Sequence, residues 1–391
     1  MKHIILVGDG MSDDPQPALG GKTPLEAAAT PNMDRVAASG RVGRLLTIPP
    51  GLPPGSDVAN LSLMGYDAAA NYQGRGPIEA ASIGVELGPE DTAFRCNLLT
   101  LGGGLMTDYS AGHITTGESR PILLELQAAL GTDRVRFIPG VSYRHLTIIR
   151  DFPTGLDCTP PHDISGQPWA PHLPKGPGRE LILDLMEKAR PVLAANEINR
   201  KRKTPATDIW PWGQGRAMKL RTLGQRFGLK GSVISAVDLV RGLGKLAGLK
   251  VRLVPGATGY LGTNYAGKIA AAKAALTDED FVYLHVEAPD ETSHEGDLAK
   301  KIQAIEEFDL NIVGEILALA ENVSGVRILV APDHATKLQT KTHAADPIPY
   351  VVCGPGIARD GGSVYSERAA EKAPIDRAVE LFERFIRGSW A

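Results

Sequence analysis

The sequence predicts an α/β fold with a mostly parallel sheet, on three observations. Short β-branched, apolar runs alternate with stretches of helical periodicity along the chain. Strand patterns of this kind lie at both ends of the chain, separated by a stretch of different texture. Three clusters of aspartate and histidine directly follow predicted strands, where open α/β sheets place their ligand sites.

In chain order, HIILV predicts a strand over 3–7 and the pattern after Thr30 a helix over 32–39. A helix is expected over 181–194, and strands over 281–287, 327–331 and 348–353. Between the last strands, Ile302, Ile305, Phe308, Ile312 and Ile316 recur at helical spacing and predict one long amphipathic helix over 297–320. Residues 151–178 are rich in Pro, Gly and Asp and predict irregular connection. With 391 residues the chain exceeds the size at which one core stops growing. The middle therefore reads as an insertion over 92–177 in a core made of 1–91 and 178–391.

Charge and composition exclude several classes. The chain has 42 Lys+Arg against 45 Asp+Glu and a net charge of −3, which argues against a nucleic-acid coat or a binder of anionic membranes. Its three cysteines, Cys96, Cys158 and Cys353, are far apart and suggest neither a disulfide framework nor a CxxC metal site. The apolar run Ile4 to Val7 is too short for a signal sequence, and no window reaches the length of a membrane span. A cytoplasmic protein is the expectation.

The chemistry concentrates in a few clusters. IILVGDGMSD puts Asp9 between two glycines at the end of a strand, where the backbone can turn sharply and leave the carboxylate uncovered. In HVEAPDETSHEGD, Asp290 and His294 stand four apart, on one face if a helix begins there. Asp333 and His334 follow a strongly apolar strand; adjacent residues do not share a helix face, so an irregular turn would present them. His343 precedes a strand entered through prolines. Taken singly, each is more ordinarily a turn, cap or solvated residue. Four of the nine histidines, His285, His294, His334 and His343, nevertheless fall in the C-terminal third, and a shared divalent-metal centre is the better account. His285, inside its strand, is expected to pack or to support a neighbouring ligand.

A glycine- and proline-rich loop, PPGLPPGSD, leads into Ser56. A short helix over 57–65 would make Ser56 its N-cap, where free N–H groups and the helix dipole favour an anion. Serine caps rarely do more, but a metal can activate the hydroxyl.

These residues resemble the archaeal-type 2,3-bisphosphoglycerate-independent phosphoglycerate mutases, within the alkaline phosphatase superfamily. The matching stretches run in order through most of the chain: GDGMSD, TPLEAAATPNMD, GSDVANLSLMGYD, GRGPIEAASIGV, DYSAGHI, GVSYRHL, PPHDISG, WPWGQG, HVEAPDETSHEGD and APDHAT. The resemblance implies an alkaline-phosphatase-like three-layer core with a smaller inserted α/β lid domain. It implies that Asp290, His294 and His343 hold one divalent metal, while Asp9, Ser56, Asp333 and His334 hold the other. Ser56 would also be the catalytic nucleophile, taking phosphate from 3-phosphoglycerate and returning it to the 2-hydroxyl, with no 2,3-bisphosphoglycerate required. The oxygen and nitrogen donors suit manganese first, then zinc or cobalt. Substrate contacts are expected from Arg75, His113, Arg144 and His145, since arginine suits carboxylate and phosphate. Some bacterial relatives have been proposed as homoserine kinases; a kinase or phosphomonoesterase would share the ligands and differ in the acceptor, and the presence of Ser56 together with all six other ligand candidates argues against a metal-binding protein that has lost catalysis. GLGK at 242–245 is not a GxxxxGK[ST] phosphate loop.

Overall fold

The computed structural model describes residues 1–390. The chain divides into two compact units, one formed by Met1–Tyr72 with the chain from Lys219 onward, the other by Gln73–Met218.

The first unit is built on an eight-stranded sheet. Its strand order is Ile375–Arg377, Gly40–Leu46, Ile348–Cys353, Val326–Ala331, Lys2–Gly8, Phe281–Val286, Gly231–Ile234 and Lys250–Val251. All run one way except Ile348–Cys353, which is antiparallel to both neighbours. The central strands are continuous apolar runs because both faces are covered, as parallel sheets require. Ile4, Leu6, Val282 and Leu284 point into a layer with Met33, Val36, Ile269, Ala272, Ile305 and Phe308. Side chains of the other parity meet the opposite layer: Phe281 packs on Phe382, His3 on Phe385, and Tyr283 bonds to Asn60. Each fully buried aliphatic side chain contributes roughly 1.5–3 kcal/mol by leaving water. The expected three-layer core follows.

The expected long helix is interrupted. Leu298–Phe308 and Gly314–Asn322 are α-helical, but Asp309–Val313 forms a π turn. Asp309 there accepts the Met33 N–H at 2.7 Å and the Asn32 N–H at 3.2 Å, satisfying open donors at the start of helix Pro31–Ser39. Apolar spacing alone does not show such a carboxylate-for-helix-end exchange.

The second unit is an antiparallel sheet with helices. Asp91–Gly102 pairs with Arg144–Arg150, Leu105–Asp108 and Asp208–Arg216, and Arg144–Arg150 pairs with Val135–Val141. Helices Thr116–Leu130 and Arg179–Ala195 supply Ile122, Leu126, Ile182, Leu185 and Leu193 to a core with Phe94, Leu98, Phe137 and Trp210. This unit is wider than the 92–177 insertion expected from the sequence. Helix Arg75–Ser82 lays Ala80 on Ala93, Leu146 and Ile148 of the sheet, strand Asp208–Arg216 completes it, and helix Arg179–Ala195 buries its apolar face in this core. The proline-rich stretch between 151 and 178 has no strand or α-helix, only the 3-10 turns Pro161–Ile164 and Ala170–His172.

Candidate active site

Three neighbouring parallel strands end level, with Gly8 opposite Val286 and Val7 opposite Ala331. The residues just beyond them therefore converge. Gly10 adopts φ +63°, and a Cβ there would lie 2.6 Å from Thr336 Oγ and 2.7 Å from Asp290 Oδ1, so only glycine lets this turn close over the cluster. Its N–H donates to Asp333 Oδ1 at 3.2 Å.

Asp9, Asp333 and His334 form one buried group whose donor atoms lie within 4.8 Å of one another. His334 Nε2 is 3.5 Å from both Asp9 Oδ1 and Asp333 Oδ2. Asp9 Oδ1 is buried with no hydrogen-bond partner. Burial, then the charges of Asp333 and Asp290, hold the Asp9 carboxyl well above its usual range. Burial also acts against ionised Asp333, but the charge of His334 and the neighbouring Asp9 carboxyl outweigh it and hold Asp333 below that range. Two carboxylates and an imidazole crowded together out of water favour a divalent cation among them.

Asp290, His294 and His343 form the second group, again within 4.8 Å. Helix Ala288–Glu295 puts Asp290 and His294 on one face, at 3.1 Å. His343 comes from the short strand Thr342–Ala344, and its Nε2 lies 3.5 Å from Asp290 Oδ1 and 3.0 Å from His294 Nε2. The carbonyl of Lys341, which can only accept, faces His294 Nδ1 at 2.9 Å, so that nitrogen carries a proton and Nε2 is the one turned to the centre. Burial opposes the ionised Asp290, but the two imidazoles hold it well below the usual range; burial likewise opposes charge on His294, which Asp290 nevertheless raises to about 9. The His334 and His343 rings stand 4.3 Å apart, so the two groups adjoin. Nitrogen and oxygen donors arranged in this way could hold two divalent ions.

Ser56 lies at this junction, its Oγ 3.0 Å from His334 Nε2. It is the first residue of helix Ser56–Leu63, with extended Gly55 as the cap, because the Gly55 carbonyl accepts the first helical bond from Ala59. The N-cap place expected for Ser56 is thus corrected by one residue. The hydroxyl is not spent on capping, and it remains at the positive end of the helix.

Supporting side chains without a sequence signature complete the cluster. Asn60 Nδ2 donates to Asp333 Oδ2 at 2.7 Å and to the Ser56 carbonyl at 2.8 Å, while Tyr283 donates to Asn60 Oδ1 at 2.6 Å. Lys301, fully buried, donates to Asp13 Oδ2 at 2.8 Å and to the Thr336 carbonyl at 2.7 Å. Asn60 and Ser56 are one helical turn apart, a spacing the sequence does contain; Lys301 depends on long-range packing.

The substrate candidates all fall in the second unit. Arg75 lies over the Trp212 ring at 5.6 Å and Arg144 over Tyr143 at 5.9 Å. Arg95, absent from the sequence-based set, is buried, bonds to Glu79 at 2.9 Å and lies 4.9 Å over Trp212. His113 is exposed on a loop at φ +49°. His145 is 1% exposed, and its Nδ1 accepts the Gly140 N–H at 3.0 Å. Burial, with the charges of Arg144 and Arg95, pushes its pKa down to about 3.

Comparison with known proteins follows the same lines. A family model described as 2,3-bisphosphoglycerate-independent phosphoglycerate mutase matches residues 37–199. A Geobacter sulfurreducens protein named "Probable 2,3-bisphosphoglycerate-independent phosphoglycerate mutase" is 52% identical over 384 residues, 96% of each chain. A solved structure from Pyrococcus horikoshii aligns with TM-score 0.82 at 28% identity, covering 100% of this chain and 98% of that one. The cofactor-independent phosphoglycerate mutase of Thermoplasma acidophilum aligns with TM-score 0.66 at 25% identity over 99% of both. The chain belongs to the 2,3-bisphosphoglycerate-independent phosphoglycerate mutase family.

Proposed function

We propose that the protein interconverts 3-phosphoglycerate and 2-phosphoglycerate through a phosphoserine at Ser56, without 2,3-bisphosphoglycerate. The observation that carries this reading is the Ser56 hydroxyl, unused in capping and 3.0 Å from His334 where two ligand groups adjoin. Family membership at 52% identity supports the choice of substrate.

Asp290, His294 and His343 would hold one divalent ion, and Asp9, Asp333, His334 and Ser56 the other. The orphaned Asp9 Oδ1 and the upward push that neighbouring Asp333 and Asp290 exert on the Asp9 carboxyl fit that occupancy. Manganese suits the mixed carboxylate and imidazole donors best, ahead of zinc or cobalt. When bound, such a pair stabilises the charge on attacking and leaving oxygens of an in-line displacement.

Ser56 Oγ forms a bond to phosphorus as the bond to the C3 oxygen breaks, and the serine proton ends on the departing oxygen. The N-terminus of helix Ser56–Leu63 favours the phosphate dianion so formed. Glycerate is retained; its 2-hydroxyl then attacks the phosphoserine, and Ser56 recovers a proton. On this reading the unit Gln73–Met218 is the lid that retains glycerate and excludes water, with Arg75, Arg144 and His113 as its basic contacts and His145 as a neutral one. Among the described residues no helix is long and apolar enough to cross a membrane.

Phosphorus NMR of 3-phosphoglycerate with the purified protein in manganese buffer tests the reading. The 2-phosphoglycerate resonance should appear without added bisphosphoglycerate. Release of inorganic phosphate instead would favour a phosphomonoesterase, and transfer from ATP to homoserine in a parallel tube would favour a kinase.

A further inference from the structure

Thr336 touches both ligand groups. Its hydroxyl lies 2.5 Å from Asp290 Oδ1 of one group and 3.1 Å from His334 Nδ1 of the other. Its strand, Ala335–Lys337, pairs it directly across from His343. The backbone is fixed on both sides, since Thr336 N–H donates to the Ser12 carbonyl at 3.1 Å and its carbonyl accepts from buried Lys301 at 2.7 Å. The residue is fully buried, and its β-branched side chain has few rotamers to choose from.

A hydroxyl carries one proton. Asp290, which faces two imidazoles and takes up the shorter contact, is the acceptor for it. At His334 the Thr336 oxygen can then only accept, so the proton of a neutral His334 must sit on Nδ1. The other nitrogen, Nε2, is left bare toward Ser56 at 3.0 Å and toward Asp9 and Asp333 at 3.5 Å. We propose that Thr336 is a positioning residue for both groups: the single proton of its hydroxyl orients Asp290 and at the same time fixes the tautomer in which His334 presents Nε2 as a ligand. The inference rests on the two-metal reading given above. It adds that the two groups are coupled through one hydroxyl, so that disturbing it weakens both.

The test compares Thr336→Val, close in shape but lacking the hydroxyl, with Thr336→Ser, which keeps it. Manganese is titrated into metal-free protein by electron paramagnetic resonance, and nitrogen-15 NMR of the histidine rings reads the His334 tautomer. Thr336→Val should bind manganese about 10- to 100-fold more weakly, the range expected on losing a partner that orients a ligand. It should also lose the predominance of the Nδ1-protonated form. Thr336→Ser should restore both. A valine variant with wild-type manganese affinity and an unchanged His334 signal overturns the proposal, even if it melts at a lower temperature, because packing alone would then have been lost. Phosphoglycerate turnover by the wild type is scored separately and bears on the mutase reading, whereas the titration decides this one.

Discussion

His285 reaches out of the strand Phe281–Val286 to place its Nε2 2.9 Å from Asp9 Oδ2, with Ser235 Oγ 3.2 Å from its other nitrogen. The Val237 N–H donates to Ser235 Oγ, so the serine proton is free for His285 Nδ1 and the His285 proton for Asp9. Burial, only partly offset by the charge of Asp333, pushes the ring's pKa down to about 4, which keeps it neutral at physiological pH. One oxygen of Asp9 is thereby held, and the other is aimed at His334 and Asp333. His285→Phe should preserve the packing but free Asp9 to rotate. Manganese affinity should drop by about 10- to 100-fold, as isothermal titration would report.

Much of this site was legible in the sequence because its residues follow strand ends. Asp9, Asp290, Asp333 and His334 lie within four residues of apolar runs whose level ends bring them together, and helix Ala288–Glu295 carries His294 one turn beyond Asp290. His285 belongs to the same pattern, but an inward histidine in a strand looks the same whether it packs or orients a ligand. Thr336 and Lys301 act through contacts set by tertiary packing, which periodicity does not encode. The second unit extends past the expected boundary for a related reason: helix Arg179–Ala195 is amphipathic in any setting, and only the core it enters shows its unit.

The Lys301–Asp13 pair is buried on both sides and fastens the loop bearing Asp9 to the strand bearing Thr336. Lys301→Met would leave Asp13 as a buried charge without its ammonium. Urea unfolding should show a loss of about 3–5 kcal/mol, the usual cost of removing one partner of such a pair.

In the second unit, Arg144 is half-buried, so truncating it should leave the fold intact. If this guanidinium holds the glycerate carboxylate or phosphate, Arg144→Ala removes a charged hydrogen bond of about 1.5–3 kcal/mol. Steady-state kinetics should then show KM for 3-phosphoglycerate raised about tenfold or more, with manganese binding unaltered.

Acid sensitivity should carry the mark of His145. Its folded pKa of about 3 lies below the usual histidine value, so the unfolded chain takes up a proton that the fold refuses. The stability this gives is fully present above about pH 6.5 and is lost as pH falls toward 3. Between pH 6.5 and 4.5 the wild type should lose roughly 2–3 kcal/mol from this group. Urea midpoints of His145→Gln should fall less steeply over the same range.

The central claim is that phosphate passes through Ser56, and rapid-quench labelling tests it most directly. Protein mixed with phosphorus-32-labelled 3-phosphoglycerate, stopped in acid and digested should yield a labelled peptide whose phosphate maps to Ser56, and Ser56→Ala should yield neither label nor turnover. Turnover that persists in Ser56→Ala, or in wild type without label on Ser56, would contradict the account.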